Sequence, residues 1–493
     1  MSPSLVKEVL SVQAPVDNHE MVGYFMRNVW DDKGAIGSMD KTTLWIKIHR
    51  AMYQLNREPF LSRAGDMVTA NIEATVFSLV SPSASSRNWQ DSANVRWSLS
   101  HHFNAEASFF PLIRHYVADM VLPALLGTAF MRNYPGCASD LFTFDGNFHL
   151  FLMGLPSCTP LFGMRKSAAA RTSLKAALAD LHDAIAAASR GEAPSGGRDG
   201  RWADLNDVST VMIDRVRLWE QTGASSEAYV ATHAFLVWVT LINANVIIFW
   251  LLFHIYRDPM LLNDIRQEIS PFANVQKSTN PGEMPTLKLN SRGIRRETPL
   301  LQSAFLETMR LYTHSNSFKN VKEDFVVTES GTDEIVRERG GNFTPNKQQR
   351  SPCGSGRTYQ LHKGDMICVP FGLHQSDPRY WENAQSFNAR RFLVLEQSPE
   401  SMKETDITKK GTKFSVDYNR INPWGVGASV CKGHKFSQRE VMEIVVAILM
   451  CWDVEPVNQE IGWPHPGLKM AGGTAVPEAD FRVKLLRRVL LNA

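Results

Sequence analysis

The stretch NPWGVGASVCKGHKF, Asn422 to Phe436, sets one cysteine on a turn lined by glycine and proline. Gly425, Gly427 and Gly433 surround Cys431, with Pro423 and Trp424 ahead of them. Glycine lets a backbone take positive φ and lets a bulky group come close. The next segment, EVMEIVVAILMCW from Glu440 to Trp452, is a buried helix by composition. Cys431 therefore lies near a helix N-terminus, where the dipole and free N–H groups favour thiolate over thiol. Three roles are open for such a residue: structural thiol, nucleophile or metal ligand.

The chain has 493 residues, 44% of them hydrophobic and 21% charged, with a net charge of +3. That length holds one large domain or a few ordinary ones. The small charge and the lack of a basic tract give no reason to invoke nucleic acid. Six cysteines, none in a CxxC pair, are far from a disulfide scaffold and fit a reducing compartment. Cys368 and Cys451 sit in apolar runs and are expected to be inert core thiols, while Cys137, Cys158 and Cys353 carry no assigned role. The N-terminal residues show no basic stretch leading into an apolar one, so they are neither a secretory signal nor a membrane span.

The first half is mainly helical. Phe60 to Leu79, Phe110 to Leu126 and Ser173 to Ala188 repeat apolar residues at three- and four-residue spacing. Ser189 to Arg201 is a solvated surface loop, and no domain boundary is placed there. Ala234 to Phe253 carries no acidic or basic residue. It reads either as a membrane span or as the central helix of a soluble core. Asn243 and Asn245 at its middle would be costly in lipid. After Arg310 the texture changes to strands, with Lys363-Gly364-Asp365 as a tight turn. Gly331 to Arg357 is a polar insertion, expected as an exposed loop.

The W-x-x-G-x-x-x-C-x-G run resembles the haem-binding loop of cytochromes P450, and two further segments fit that family in order. Glu307-Thr-Met-Arg310 has its E-x-x-R form, whose spacing puts carboxylate and guanidinium on one helix face. Phe387-Asn-Ala-Arg-Arg391-Phe392 resembles its F-x-P-x-R-F segment. The resemblance implies one mostly α domain over residues 1–493, with a small β part and a long central helix over haem b. It implies Cys431 as the iron ligand, with Trp424, Gly425, Gly427 and Gly433 in the cofactor loop. Glu307, Arg310 and Arg391 are then a buried triad bracing that loop.

WVTLINANVIIFW, Trp238 to Trp250, is similar to the branch containing cholesterol 7α-hydroxylase and prostacyclin synthase. Asn243 matches that branch's Asn, which replaces the usual acid, and Asn243, Ala244 and Asn245 are expected to face the sixth coordination position. The family's usual Thr is Ala244 here, which has no hydroxyl to relay protons. Other positions depart too. Ser429 stands where Arg or His is usual, His434 where Arg is frequent, and Lys319 where many members bind a propionate through Arg. Lys319 supplies the charge but not the fork. His374, and more loosely Trp45, His49 and Arg50, match haem-contacting stretches.

These features imply a monooxygenase acting on a lipophilic steroid, terpenoid or polyketide, in the manner of fungal secondary metabolism. Thr313 to Phe318 would line its pocket. Electrons would come from an NADPH–cytochrome P450 reductase docking near Lys432 and Lys435. The central helix lies early in the chain for this family, so an N-terminal anchor and part of the first sheet are expected to be missing. With an anchor, the site of action would be the cytosolic face of the endoplasmic reticulum membrane; without one, the cytoplasm. The rival readings are a peroxide isomerase or dehydratase needing no reductase, a non-enzymatic membrane protein, and a haem-binding pseudoenzyme.

Overall fold

The computed structural model describes residues 3–39, 53–82, 88–97, 104–192, 200–277, 284–330, 356–395, 413–427, 430–469 and 471–488. Trp45, His49, Arg50, Ser429, Cys353 and most of the polar insertion lie outside the described residues. The eight longest helices among the described residues are α1 (His19–Trp30), α2 (Phe60–Thr75), α3 (Phe109–Leu126), α4 (Met164–Ser189), α5 (Thr210–Thr222), α6 (Ser226–Arg257), α7 (Pro299–Tyr312) and α8 (His434–Cys451). Two small antiparallel sheets flank them. The first, in the order β1-β4-β5, pairs Val16–Asp17, Asn316–Val321 and Met366–Pro370. The second runs β6-β7-β3-β2, from Trp452–Pro456 through Arg482–Arg487 and Asn104–Ser108 to Arg96–Trp97.

The long apolar run is the middle of α6. Helices α3, α4, α7 and α8 pack around it. From Val230 to Tyr256 every residue is buried except Phe235, Val239, Thr240 and Asn243. Both α3 and α6 are long and apolar enough to cross a membrane, yet 72% and 78% of their most apolar windows are covered by protein. An all-round apolar helix needs such a coat, so this run is the central core helix. It stops at Asp258, which takes the extended conformation that a following proline favours. Asp258 Oδ1 then accepts from Met260 N and Leu261 N, capping the next helix, Pro259–Ile269.

Helix α7 is set by its first turn. Pro299 occupies an early helical position, where its missing N–H costs nothing. Glu268, from the preceding helix, accepts from Leu300 N at 2.7 Å and Leu301 N at 2.9 Å. Burial raises that carboxyl to about 7 against the pull of the two N–H groups. Helix α8 is fixed to α2 by a buried network. Arg439 donates to Glu443 at 2.8 Å and to Asp66 at 2.7 Å, while Thr69 donates to the other Glu443 oxygen. Gly65 is required there, since a Cβ would sit 2.2 Å from the Arg439 guanidinium.

One expectation is overturned on β5. Strand alternation buries Ile367 and Val369 and turns Met366 and Cys368 to the other face. Cys368 is therefore exposed and not a core thiol, whereas Cys451 is buried.

Helices α4, α5 and α6 enclose a polar chain. Arg215 Nε donates to His233 Nδ1 at 3.5 Å, His233 Nε2 meets His182 Nδ1 at 3.0 Å, and His182 Nε2 meets the Glu220 carboxylate at 3.2 Å. Arginine only donates and a carboxylate only accepts. The direction of every bond is therefore fixed, and both imidazoles are neutral. A further proton would set two donors face to face. Arg215, Asp183, Glu220 and stacked Tyr229 face the pair, and Arg190 bonds Glu220 outside. Burial is the main cause that lowers both histidines, His233 the more strongly. The unfolded chain then binds protons that the native state refuses. Stability is full above the ordinary histidine value of about 6.5 and falls below it. Urea midpoints recorded from pH 8 to 5 should decline, and His233→Gln should flatten the decline by about 1.4 kcal/mol per pH unit, one proton's share. An unchanged slope in that variant would place the titrating groups elsewhere.

Candidate functional site

Cys431 closes a turn whose glycines divide into two kinds. Gly425 (φ 82°) and Gly427 (φ 58°) hold left-handed backbone. A Cβ on Gly427 would lie 2.0 Å from the Leu10 carbonyl oxygen, so the loop presses on the end of the N-terminal helix Pro3–Val9. Gly433 has an ordinary φ of −113° and serves as the N-cap of α8, so the positive φ expected of it is not found. Its value is its N–H, which donates to Cys431 Sγ at 3.4 Å. Cys431 N donates to Trp424 O at 2.7 Å, closing the loop. The Trp424 ring lies between Phe305 of α7 and His434 of α8, at 6.2 Å from each.

Asn56 holds the same turn from outside. Its Oδ1 accepts from Lys435 N at 3.0 Å and its Nδ2 donates to Cys431 O at 3.3 Å. No local sequence pattern marks it, because its partners lie far along the chain. The Cys431 side chain is accessible, yet burial pushes its thiol above the ordinary value, with Gly433 N–H and Lys432 pulling the other way. The expected thiolate preference of a helix N-terminus is thus outweighed by desolvation in the protein alone.

The triad residues meet. Arg310 Nε and a terminal nitrogen grip Glu307 at 2.7 and 2.9 Å, and Arg391 Nε donates to both Glu307 oxygens at 3.0 Å. Glu307 and Arg310 side chains are fully buried and Arg391 nearly so. Asn388 N adds a third donor to the carboxylate at 3.0 Å. Arg390, its neighbour, turns outward to Asp264.

On α6 the expected trio does not share a face. Successive helical residues are turned by about 100°. Asn243 lies on the partly accessible stripe with Phe235, Val239 and Thr240. Asn245 is fully buried, and its Nδ2 donates back to Leu241 O at 2.8 Å and Ile242 O at 3.1 Å. Ala244 is buried between them. Thr240 spends its hydroxyl on Leu236 O. Asn243 Oδ1 accepts from Thr474 Oγ1 at 3.0 Å, a partner the sequence did not suggest.

Lys319 is buried on β4. Burial lowers its ammonium, Asp17 raises it, and Lys432 beside the cysteine lowers it further. His374 packs its ring on Tyr380 and Trp381, and its carbonyl accepts from Trp381 Nε1. It lines a small cavity with Phe371, Gln375 and Asn422.

Comparison with known proteins finds cytochromes P450. A cytochrome P450 family profile matches residues 355–484. A solved cytochrome P450 (CYP102L1) superposes with a TM-score of 0.59 at 16% identity, over 99% of this chain and 88% of that one. Among curated relatives, a 25-hydroxycholesterol 7-alpha-hydroxylase of Rattus norvegicus is 26% identical, over 57% of this chain and 60% of the relative. The prostacyclin synthase of Homo sapiens is 26% identical, over 54% and 46%. A cytochrome P450 monooxygenase (poxD) of Penicillium oxalicum is 25% identical, over 69% and 56%. The chain thus spans about half the length of the curated relatives it matches. The fold is that of a cytochrome P450. Over residues 355–484 the chain also matches that family's profile.

Proposed function

We propose that the protein is a haem-thiolate monooxygenase that oxidises a lipophilic small molecule, of steroid, terpenoid or polyketide type. The observation that carries the reading is the accessible Cys431 sulfur. It sits at the mouth of α8 and takes the Gly433 N–H. Cys431 would ligate the iron of haem b. Lys319 would offer charge to a propionate, and His374 would stand near the same edge. The bound haem supplies the redox chemistry of oxygen activation. The chain's part is to hold and shape. Gly433 N–H tempers the sulfur, Trp424 packs the loop on α7, and the Glu307–Arg310–Arg391 network fixes the stretch between β5 and residue 391. The stripe Phe235, Val239, Thr240 and Asn243 lines the opposite side of the pocket. An NADPH–cytochrome P450 reductase would deliver electrons near Lys432 and Lys435, at the endoplasmic reticulum membrane if an anchor precedes this sequence.

A second reading is favoured by one feature. Ala244 has no hydroxyl and Thr240 has committed its own to Leu236 O, so Asn243 is left as the polar group on the accessible stripe. A site poor in proton relays suits rearrangement of a peroxide, which needs no delivered protons. Turnover separates the two. The monooxygenase consumes oxygen only with NADPH and reductase. The isomerase converts a lipid hydroperoxide with neither. A purified protein that binds no haem sinks both.

A further inference from the structure

The segment Gly472–Ala475 is zipped to the end of α7 and laid across α6. Thr474 forms a β-bridge with Thr313, His314 N donates to Gly473 O, Ala475 N donates to Tyr312 O, and Trp250 Nε1 donates to Ala475 O. Two glycines allow the approach. A Cβ at Gly472 would lie 2.4 Å from the Trp238 ring, and one at Gly473 (φ 151°) would lie 3.0 Å from Asn243 Oδ1. The closeness delivers one polar contact, from the buried Thr474 hydroxyl to Asn243 Oδ1 at 3.0 Å. Asn243 Nδ2 has no partner among the described residues, and the residue lies on the accessible stripe of α6.

We propose that Thr474 is a positioning residue. Its hydroxyl occupies the Asn243 oxygen, so the amide presents Nδ2–H to the pocket as a fixed donor and selects substrates with an accepting oxygen beside the reacting carbon. The inference rests on the haem-thiolate reading, because it takes the α6 stripe to be the distal wall. An asparagine alone offers donor and acceptor equally, and either face can turn to a ligand. With the Thr474 hydroxyl donating to Oδ1, Nδ2–H is the face left to a ligand. The rigid Tyr312–His314 pairing holds the hydroxyl in place, so the amide does not have to be ordered again on binding.

The test uses the full chain loaded with haem and two probes. Carbon monoxide on the reduced protein reports distal hydrogen-bond donors through its infrared stretch. Thr474→Val should move that band to higher wavenumber and split it, as the amide samples both flips. Thr474→Ser should restore the wild-type band, and Asn243→Leu should give one unsplit band at higher wavenumber. The matched pair androstan-3-one and androstane, differing by one carbonyl oxygen, reads the same donor by equilibrium dialysis. Wild type should prefer the ketone by about tenfold, one hydrogen bond's worth, and Thr474→Val should lose that preference. A merely structural threonine would leave the band in place. An unchanged band and preference in a folded Thr474→Val protein overturns this inference alone. A wild type without the red-shifted carbon monoxide absorption overturns the parent reading and this one together.

Discussion

Replacing Cys431 by alanine is expected to abolish the red-shifted absorption that thiolate ligation gives the reduced, carbon monoxide-bound protein, and to reduce turnover to background. The expectation follows from what else stands near the turn. The neighbouring imidazole, His434, is engaged through Nδ1 by Cys431 O at 2.9 Å and Asn56 Nδ2 at 3.0 Å. The fold itself should barely change. The sulfur accepts one N–H, from Gly433, and sulfur is a weak acceptor. The bonds that close the loop run through backbone, Cys431 N to Trp424 O and Asn56 to Cys431 O, and alanine keeps both. The cost to stability should stay within about 1 kcal/mol. Cys368 is the natural control: it is exposed and lies on a different element, and Cys368→Ala should leave the spectrum unaltered. Retention of the red-shifted band by Cys431→Ala would show that another residue binds the iron.

The parts of this site that were legible in sequence are those whose geometry is local. Glu307 and Arg310 pair because residues three apart share a helix face. Gly425 and Gly427 take positive φ where a turn demands it. The length of α6 and its burial follow from an uninterrupted apolar run. What could not be read depends on elements far apart in the chain. Nothing near Asn56 marks it as a clamp on residues 431–435, and nothing near Thr474 marks it as the partner of Asn243. The resemblance sets Asn243, Ala244 and Asn245 together, but a helix turns three consecutive residues to different sides. The apolar neighbours of Cys368 suggest a core thiol. Alternation along β5 separates it from Ile367 and Val369.

Glu307→Ala is expected to be the most destabilising single change in the chain. It leaves two guanidinium groups buried, Arg310 completely and Arg391 almost so, with no carboxylate between them. Removing one partner of such a buried network costs about 3–5 kcal/mol, a large part of the roughly 5–15 kcal/mol that holds an ordinary domain together. A purely apolar substitute for the whole network would not recover the loss here. Arg310 also donates to Gln375 O at 2.7 Å and Ala384 O at 2.8 Å, and Arg391 donates to Glu382 O at 2.7 Å and Ser386 O at 3.2 Å. These carbonyls belong to the stretch between β5 and residue 391, which has little regular structure of its own. The carboxylate therefore holds two cations, and the cations hold the backbone of that stretch. Glu307→Gln keeps one acceptor and loses the charge, so it should fall between wild type and alanine. Because α7 also carries Phe305, which packs on Trp424, loosening should reach the cysteine loop. Haem retention should then fall in the same order as the urea midpoint. An alanine variant within about 1 kcal/mol of wild type would mean that water or other acceptors satisfy both arginines, and the role of this network as a brace would be wrong.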